Sequence, residues 1–128
     1  MGKYKNQKIT VDGETFDSRK ECGRYVQLKH LERMGQISNL QRQVRYELIP
    51  AQYESVPRYS EKTGLRLKDG QNLVERGVYY VADFVYSLKD GSVVVEDVKG
   101  YTEGAAYALF SIKRKLMLKE HGIKILET

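Results

Sequence analysis

The sequence predicts a mixed α/β domain built in the order helix, strand, strand, strand, helix, strand, with a central mixed sheet flanked by helices. Three observations predict it. Two strongly apolar runs of β type, Val78 to Tyr86 and Val93 to Val98, are separated by a turn sequence. A capped helical run precedes them. A second helical run follows, closes at His121-Gly122 and leads into the short apolar stretch Ile123 to Leu126.

Taken in order, Lys3 to Thr15 is a polar, basic arm with room for a short strand and an Asp12-Gly13 turn. Ser18-Arg-Lys-Glu21 is a capping-box sequence, so a helix starts there and runs to about Met34, with Gly35 as its stop. A strand is expected around Gln43 to Ile49. Pro50 then opens a long polar segment, 50–73, containing Pro57, Gly64 and Gly70, which reads as a loop. The second helix spans about Ala105 to Glu120, with Leu109, Ile112 and Leu116 at helical spacing as its core face. No repeat or low-complexity tract interrupts the 128 residues, which predict one domain over 1–128.

Composition narrows the function classes. A net charge of +5 suits a polyanionic partner. The single cysteine, Cys22, excludes an internal disulfide, and with only His30 and His121 beside it no zinc ligand set of usual spacing exists. Any metal is therefore expected on oxygen ligands. The start Met-Gly-Lys-Tyr-Lys-Asn lacks an apolar signal core, and no run is long enough to span a bilayer. A soluble, cytoplasmic protein with no membrane partner is the expectation.

The acidic residues inside the two apolar runs carry the chemistry. A carboxylate among Val, Tyr and Phe is unfavourable unless something compensates it. A divalent cation would do so. Alternation along a strand puts Asp97 and Lys99 on one face. Asp83 joins them if the hairpin loop is Lys89-Asp90-Gly91, with Gly91 left-handed, because Asp83 then stands opposite Asp97. A two-residue Asp90-Gly91 loop would instead leave Asp83 beside Glu96. The three-residue register is preferred because it assembles a coherent site, in which Glu96 faces away as a salt-bridge or supporting residue. Asp83 and Asp97 would hold Mg²⁺, which keeps several waters and takes few carboxylates. Lys99 would orient the attacking water or stabilise charge on phosphorus.

Asp83 followed after a hairpin by Asp97-Val98-Lys99 resembles the PD-(D/E)XK signature of the restriction-endonuclease-like nucleases. The segments YVADFVY, VVVEDVKG, KRKLM and HGIKILE are similar to a branch of small phage and prophage proteins of that superfamily, from TFDSRKE to the C-terminus. Ala82 stands where the signature has Pro. The resemblance implies a restriction-endonuclease-like core, metal-dependent DNA hydrolysis leaving a 5′-phosphate, and a bacterial host cell as the setting. It also implies Glu21, on the first helix, as a third acidic group at the metal, with the Val98 backbone carbonyl as a further ligand and Mn²⁺ as a substitute for Mg²⁺. Glu21 has an alternative role as the reciprocal member of the capping box.

Phosphate contacts are expected from Lys113, with Arg114 and Lys115, on the second helix. Arg58, Arg66 and Lys68, interleaved with Tyr53 and Tyr59, would form a clamp from the long loop. The small size, the absence of a sequence-reading module and the resemblance to phage proteins favour branched or structured DNA, such as a recombination junction, and a homodimer to cut two strands. Competing readings are a nucleic-acid-binding protein without catalysis and a small RNA-processing or RNA-binding protein.

Overall fold

A computed structural model describes residues 8–100 and 102–128. The chain runs β1 (Ile9–Val11), β2 (Glu14–Phe16), α1 (Arg19–Arg33), β3 (Ile37–Ile49), β4 (Gln52–Tyr59), β5 (Arg66–Glu75), β6 (Val78–Leu88), β7 (Val93–Asp97), α2 (Ala105–His121) and β8 (Leu126–Glu127). The central sheet has the order β3-β6-β7-β8. Its strands pair antiparallel except for the parallel β7–β8 edge, so the sheet is mixed as expected. Of the basic arm, residues 3–7 lie outside the described residues; the remainder forms the β1–β2 hairpin, turning at Asp12 and Gly13 with positive φ at both.

The two helices cover opposite faces. Phe110 and Met117 of α2 pack on Leu48, Tyr80, Ala82, Val85, Val95 and Ile125. Cys22, Tyr25 and Leu28 of α1 pack on Phe16, Ile37, Phe84 and Tyr86. The expected core face of the second helix is corrected here: Leu109 and Ile112 are 55% and 56% exposed, and only Leu116 of the three packs partly against the core. The reason is that apolar side chains occupy two faces of this helix, and the ring of Phe110 with the flexible Met117 fills the space over the sheet.

A second correction concerns residues 50–73. They form a two-stranded ribbon, β4 paired antiparallel with β5, which is a sheet of its own. Almost every residue of it is exposed, so neither face imposes the apolar alternation that marks a half-buried strand.

The hairpin between β6 and β7 closes as the Lys89-Asp90-Gly91 loop, with Gly91 at φ 88 and its N–H bonded to the Leu88 carbonyl. The register pairs Phe84 with Glu96 and Val85 with Val95. The next position in that ladder sets Asp83 level with Asp97.

β3 is longer than expected, starting at Ile37. Its irregularity explains why alternation alone did not reveal it. Val44, Tyr46 and Leu48 face α2, whereas Leu40 faces α1 and Arg42 lies over the Phe16 ring at 3.9 Å. On β6, likewise, Tyr80 and Ala82 face α2 while Phe84 and Tyr86 face α1. A regular strand would keep each of these sets on one side. Both strands change face at one level, between the ladder pairs Arg42–Phe84 and Val44–Ala82, where Gln43 has φ 53. A left-handed non-glycine residue costs about 1–2 kcal/mol. That strain sits beside Asp83.

Candidate functional site

Asp83 and Asp97 meet at the C-terminal end of β7. Asp97 is 6% exposed, accepts a hydrogen bond from the Tyr80 hydroxyl at 3.0 Å and forms an ion pair with the Lys99 ammonium at 3.3 Å. Burial pushes its pKa up, the adjacent Asp83 carboxyl adds to this by hydrogen bonding and charge, and the result is about 7 despite the opposing pull of Lys99 and Tyr80. Asp83 accepts from the Val98 backbone N–H at 2.9 Å and from the Gln43 side-chain amide at 3.3 Å. Burial and the neighbouring Asp83 carboxyl disfavour the Asp97 anion, a cost that a bound cation would relieve.

Lys99 points back toward Asp97, and its ammonium also lies 3.8 Å from the Phe110 ring centroid. The backbone that presents it is fastened on both sides. The Lys99 N–H donates to the Thr128 carbonyl at 2.9 Å and the Thr128 N–H donates to the Asp97 carbonyl at 3.0 Å. The Lys20 ammonium donates to the Lys99 carbonyl.

A cleft of about 320 Å³ opens over this group, lined by Tyr80, Asp83, Asp97, Lys99, Leu109 and Lys113 among others. Lys113 therefore reaches the site. Arg114 and Lys115 do not: they line a separate groove with Leu118 and Ile125, and Arg114 bonds Tyr107 and Glu127. Successive helical positions point about 100° apart, so three neighbouring bases cannot share one cleft. The ribbon cations are also elsewhere. Arg66 pairs with Asp69 at 2.7 Å, and the Arg58 stem lies against Gly70. Arg58, Arg66 and Lys68 do not line the cleft.

Ser18 caps α1 by accepting from the Glu21 N–H at 3.1 Å. The Glu21 carboxylate accepts from Arg42 at 3.1 Å and from Gln43 at 3.4 Å. Burial raises its pKa, Asp83 raises it further, and Arg42 opposes both. Glu21 thus faces Asp83, but in an ion pair. Among the described residues no three His, Cys, Asp or Glu side chains converge to hold an ion.

Glu96, on the opposite face, is fully buried. Arg24 grips it through two bonds of 2.6 and 2.9 Å, Tyr86 donates at 2.7 Å and Thr128 at 3.1 Å. Burial alone would raise its pKa, but the hydrogen bonds from Arg24 and Tyr86 and the Arg24 charge outweigh it and lower the value. It is a structural anchor, as expected.

Gln43 and Tyr80 were not singled out by sequence reasoning. Tyr80 was legible as an aromatic three residues before Asp83 in an apolar strand; Gln43 carried no signal, because nothing in its neighbours announces a left-handed residue inside a strand.

Together these features define a mixed α/β protein with a paired-carboxylate cleft over the two interior strands of its central sheet. The chain belongs to the DUF1064 family, proteins of unknown function, whose family model matches residues 1–124. No curated protein and no solved structure matches it. Among the described residues no helix is long and apolar enough to cross a membrane.

Proposed function

We propose that this protein is a metal-dependent DNA endonuclease of the restriction-endonuclease-like type, acting on branched or structured DNA in a bacterial host cell. The observation that carries the proposal is the Asp83–Asp97 pair, with Asp97 buried, Asp83 half-buried beside it and Lys99 facing them in an open cleft. The donor set fits a hard cation: two carboxylates whose mutual repulsion a divalent ion would relieve. Asp83 and Asp97 would hold Mg²⁺ or Mn²⁺, and Glu21 could join only by releasing Arg42. Bound there, the ion would supply Lewis-acid polarisation of a phosphate and a more acidic water.

The chain's own residues account for the remaining work. Lys113, on the cleft wall, holds a phosphate oxygen by charge. Lys99 stabilises the negative charge that builds on phosphorus, and the Phe110 ring beneath its ammonium fixes its direction. Tyr80 holds Asp97 at Oδ2, leaving the other carboxylate oxygen for the ion. Gln43 braces Asp83 from the side opposite the Val98 N–H.

The test is cleavage of labelled linear duplex, single strand and four-way junction, with and without Mg²⁺ or Mn²⁺, by the wild type and by Asp97→Asn. Metal-dependent cuts that vanish in the variant support the reading. Binding without cleavage under every condition overturns it and leaves a nucleic-acid-binding protein; preference for structured RNA would redirect the substrate class.

A further inference from the structure

The β4–β5 ribbon has both broad faces open to solvent, and Tyr53, Tyr59, Leu67 and Leu73 are all exposed on it. A two-stranded ribbon is marginal on its own in water. Its apolar side chains would gain by being covered. The charge pattern says by what. Glu54, Glu61, Asp69 and Glu75 balance Arg58, Lys62, Arg66 and Lys68 along the ribbon, although the whole chain carries +5. Attraction to a phosphate backbone depends on uncompensated positive charge, which the ribbon lacks. A surface with the same mixture of charges suits it better, and a second copy of this chain presents one.

The spacing along β4 is self-complementary. When two β4 strands run antiparallel about a two-fold axis at Val56, Tyr53 meets Tyr59 of the second copy and Glu54 meets its Arg58, each pair occurring twice. Both pairs differ by an even number of positions, the condition for facing side chains to lie on the same side of the sheet. Pro57, which would interrupt a continuous edge, falls at the register shift of the β4–β5 ladder, between Val56 and Arg58. We infer that the ribbon is a dimerisation arm joining two copies of this chain edge to edge through β4. Opposite charges and aromatic pairs across such a seam stabilise it, whereas like charges weaken it.

The proposal concerns mass and not cleavage, so it stands or falls independently of the chemistry in the cleft. Sedimentation equilibrium of the full chain compares wild type, Glu54→Arg, Arg58→Glu and the double reversal, with circular dichroism confirming that each folds. The expected result is a dimer across the micromolar range whose Kd rises roughly tenfold in either single variant and recovers in the double. A monomeric wild type, or a dimer indifferent to both single reversals, overturns the arm. Val56→Cys gives a second readout, because Cys22 is buried. Mild oxidation should link two chains through position 56; a dimer that fails to link overturns the axis at Val56.

Discussion

The Gln43 amide donates to Asp83 at 3.3 Å from a residue whose backbone, at φ 53, is left-handed in mid-strand. The same amide reaches Glu21 at 3.4 Å, so one neutral side chain sits between two carboxylates. The strain that turns β3 from one face of the sheet to the other is also what aims Gln43 at the site.

That relationship separates backbone strain from side-chain bracing. Gln43→Gly accepts the positive φ, whereas Gln43→Ala keeps the strain and loses the amide. The glycine variant should be the more stable by about 1 kcal/mol in urea unfolding. Under the proposed function, both should lose DNA cleavage to the same extent, since both lack the donor to Asp83. Equal stability would mean that the left-handed conformation relaxes when the amide is gone.

Asp97 gives the fold a pH dependence. Its pKa rises from 3.8 to about 7 on folding, so the native state holds a proton that the unfolded chain has lost between those values. This contribution is fully present below about 4 and is lost as pH rises through about 7. The loss should be on the order of 1–4 kcal/mol. Asp97→Asn should remove that slope and be more stable than wild type at pH 8. Mg²⁺ should raise the wild-type unfolding temperature more at pH 8 than at pH 5 and leave the variant unchanged.

Glu96 shows the opposite sign. Its pKa is lowered on folding, so its contribution is present above the unfolded value of 4.5 and is lost as pH falls through the folded value. Arg24→Ala leaves a fully buried carboxylate without its cation and should cost about 3–5 kcal/mol, measured by chemical denaturation. A cost below 1 kcal/mol would show that water enters to replace the guanidinium.

Under the proposed function, Lys113 and Lys99 should divide DNA binding from catalysis. Lys113→Ala should weaken DNA binding and lower the slope of log affinity against log salt by about 1. Lys99→Met should leave that slope unchanged and abolish cleavage of bound DNA. Equal effects of both variants on binding would remove Lys99 from its assigned role.

The two apolar faces of α2 predict unequal costs. Phe110→Ala should destabilise by about 3–5 kcal/mol, as a buried ring replaced by a void. Ile112→Ala, on the exposed face, should change stability by less than about 0.5 kcal/mol. Thermal unfolding of the two variants distinguishes them directly.

The hairpin register and Asp97–Lys99 were legible because local rules determine them. Gly91 sets the turn, the turn sets the register, and the pleat puts Asp97 and Lys99 on one side. The α1 start was legible for the same reason, although Ser18 alone makes the cap and Glu21 turns to Arg42 instead. Three features were hidden. The ribbon buries neither face, so it lacks the periodicity of a strand. Leu109 and Ile112 have the spacing of a core but not its neighbours. Gln43 breaks alternation in the strand that contains it, which shortened the recognisable part of β3 to its second half. The ribbon was hidden for want of a buried face, and the other two depend on tertiary contacts that spacing along the chain does not encode.

The pairing of Thr128 with both Asp97 and Lys99 has a consequence for biosynthesis. Translation runs from the N-terminal to the C-terminal direction, and the clasp on the Asp97–Lys99 segment needs residue 128. Both helices and the first seven strands can therefore be synthesised while that segment is still unfastened. A nascent chain acquires the finished paired-carboxylate cleft only after β8 has docked, so the site is completed later than the fold that surrounds it.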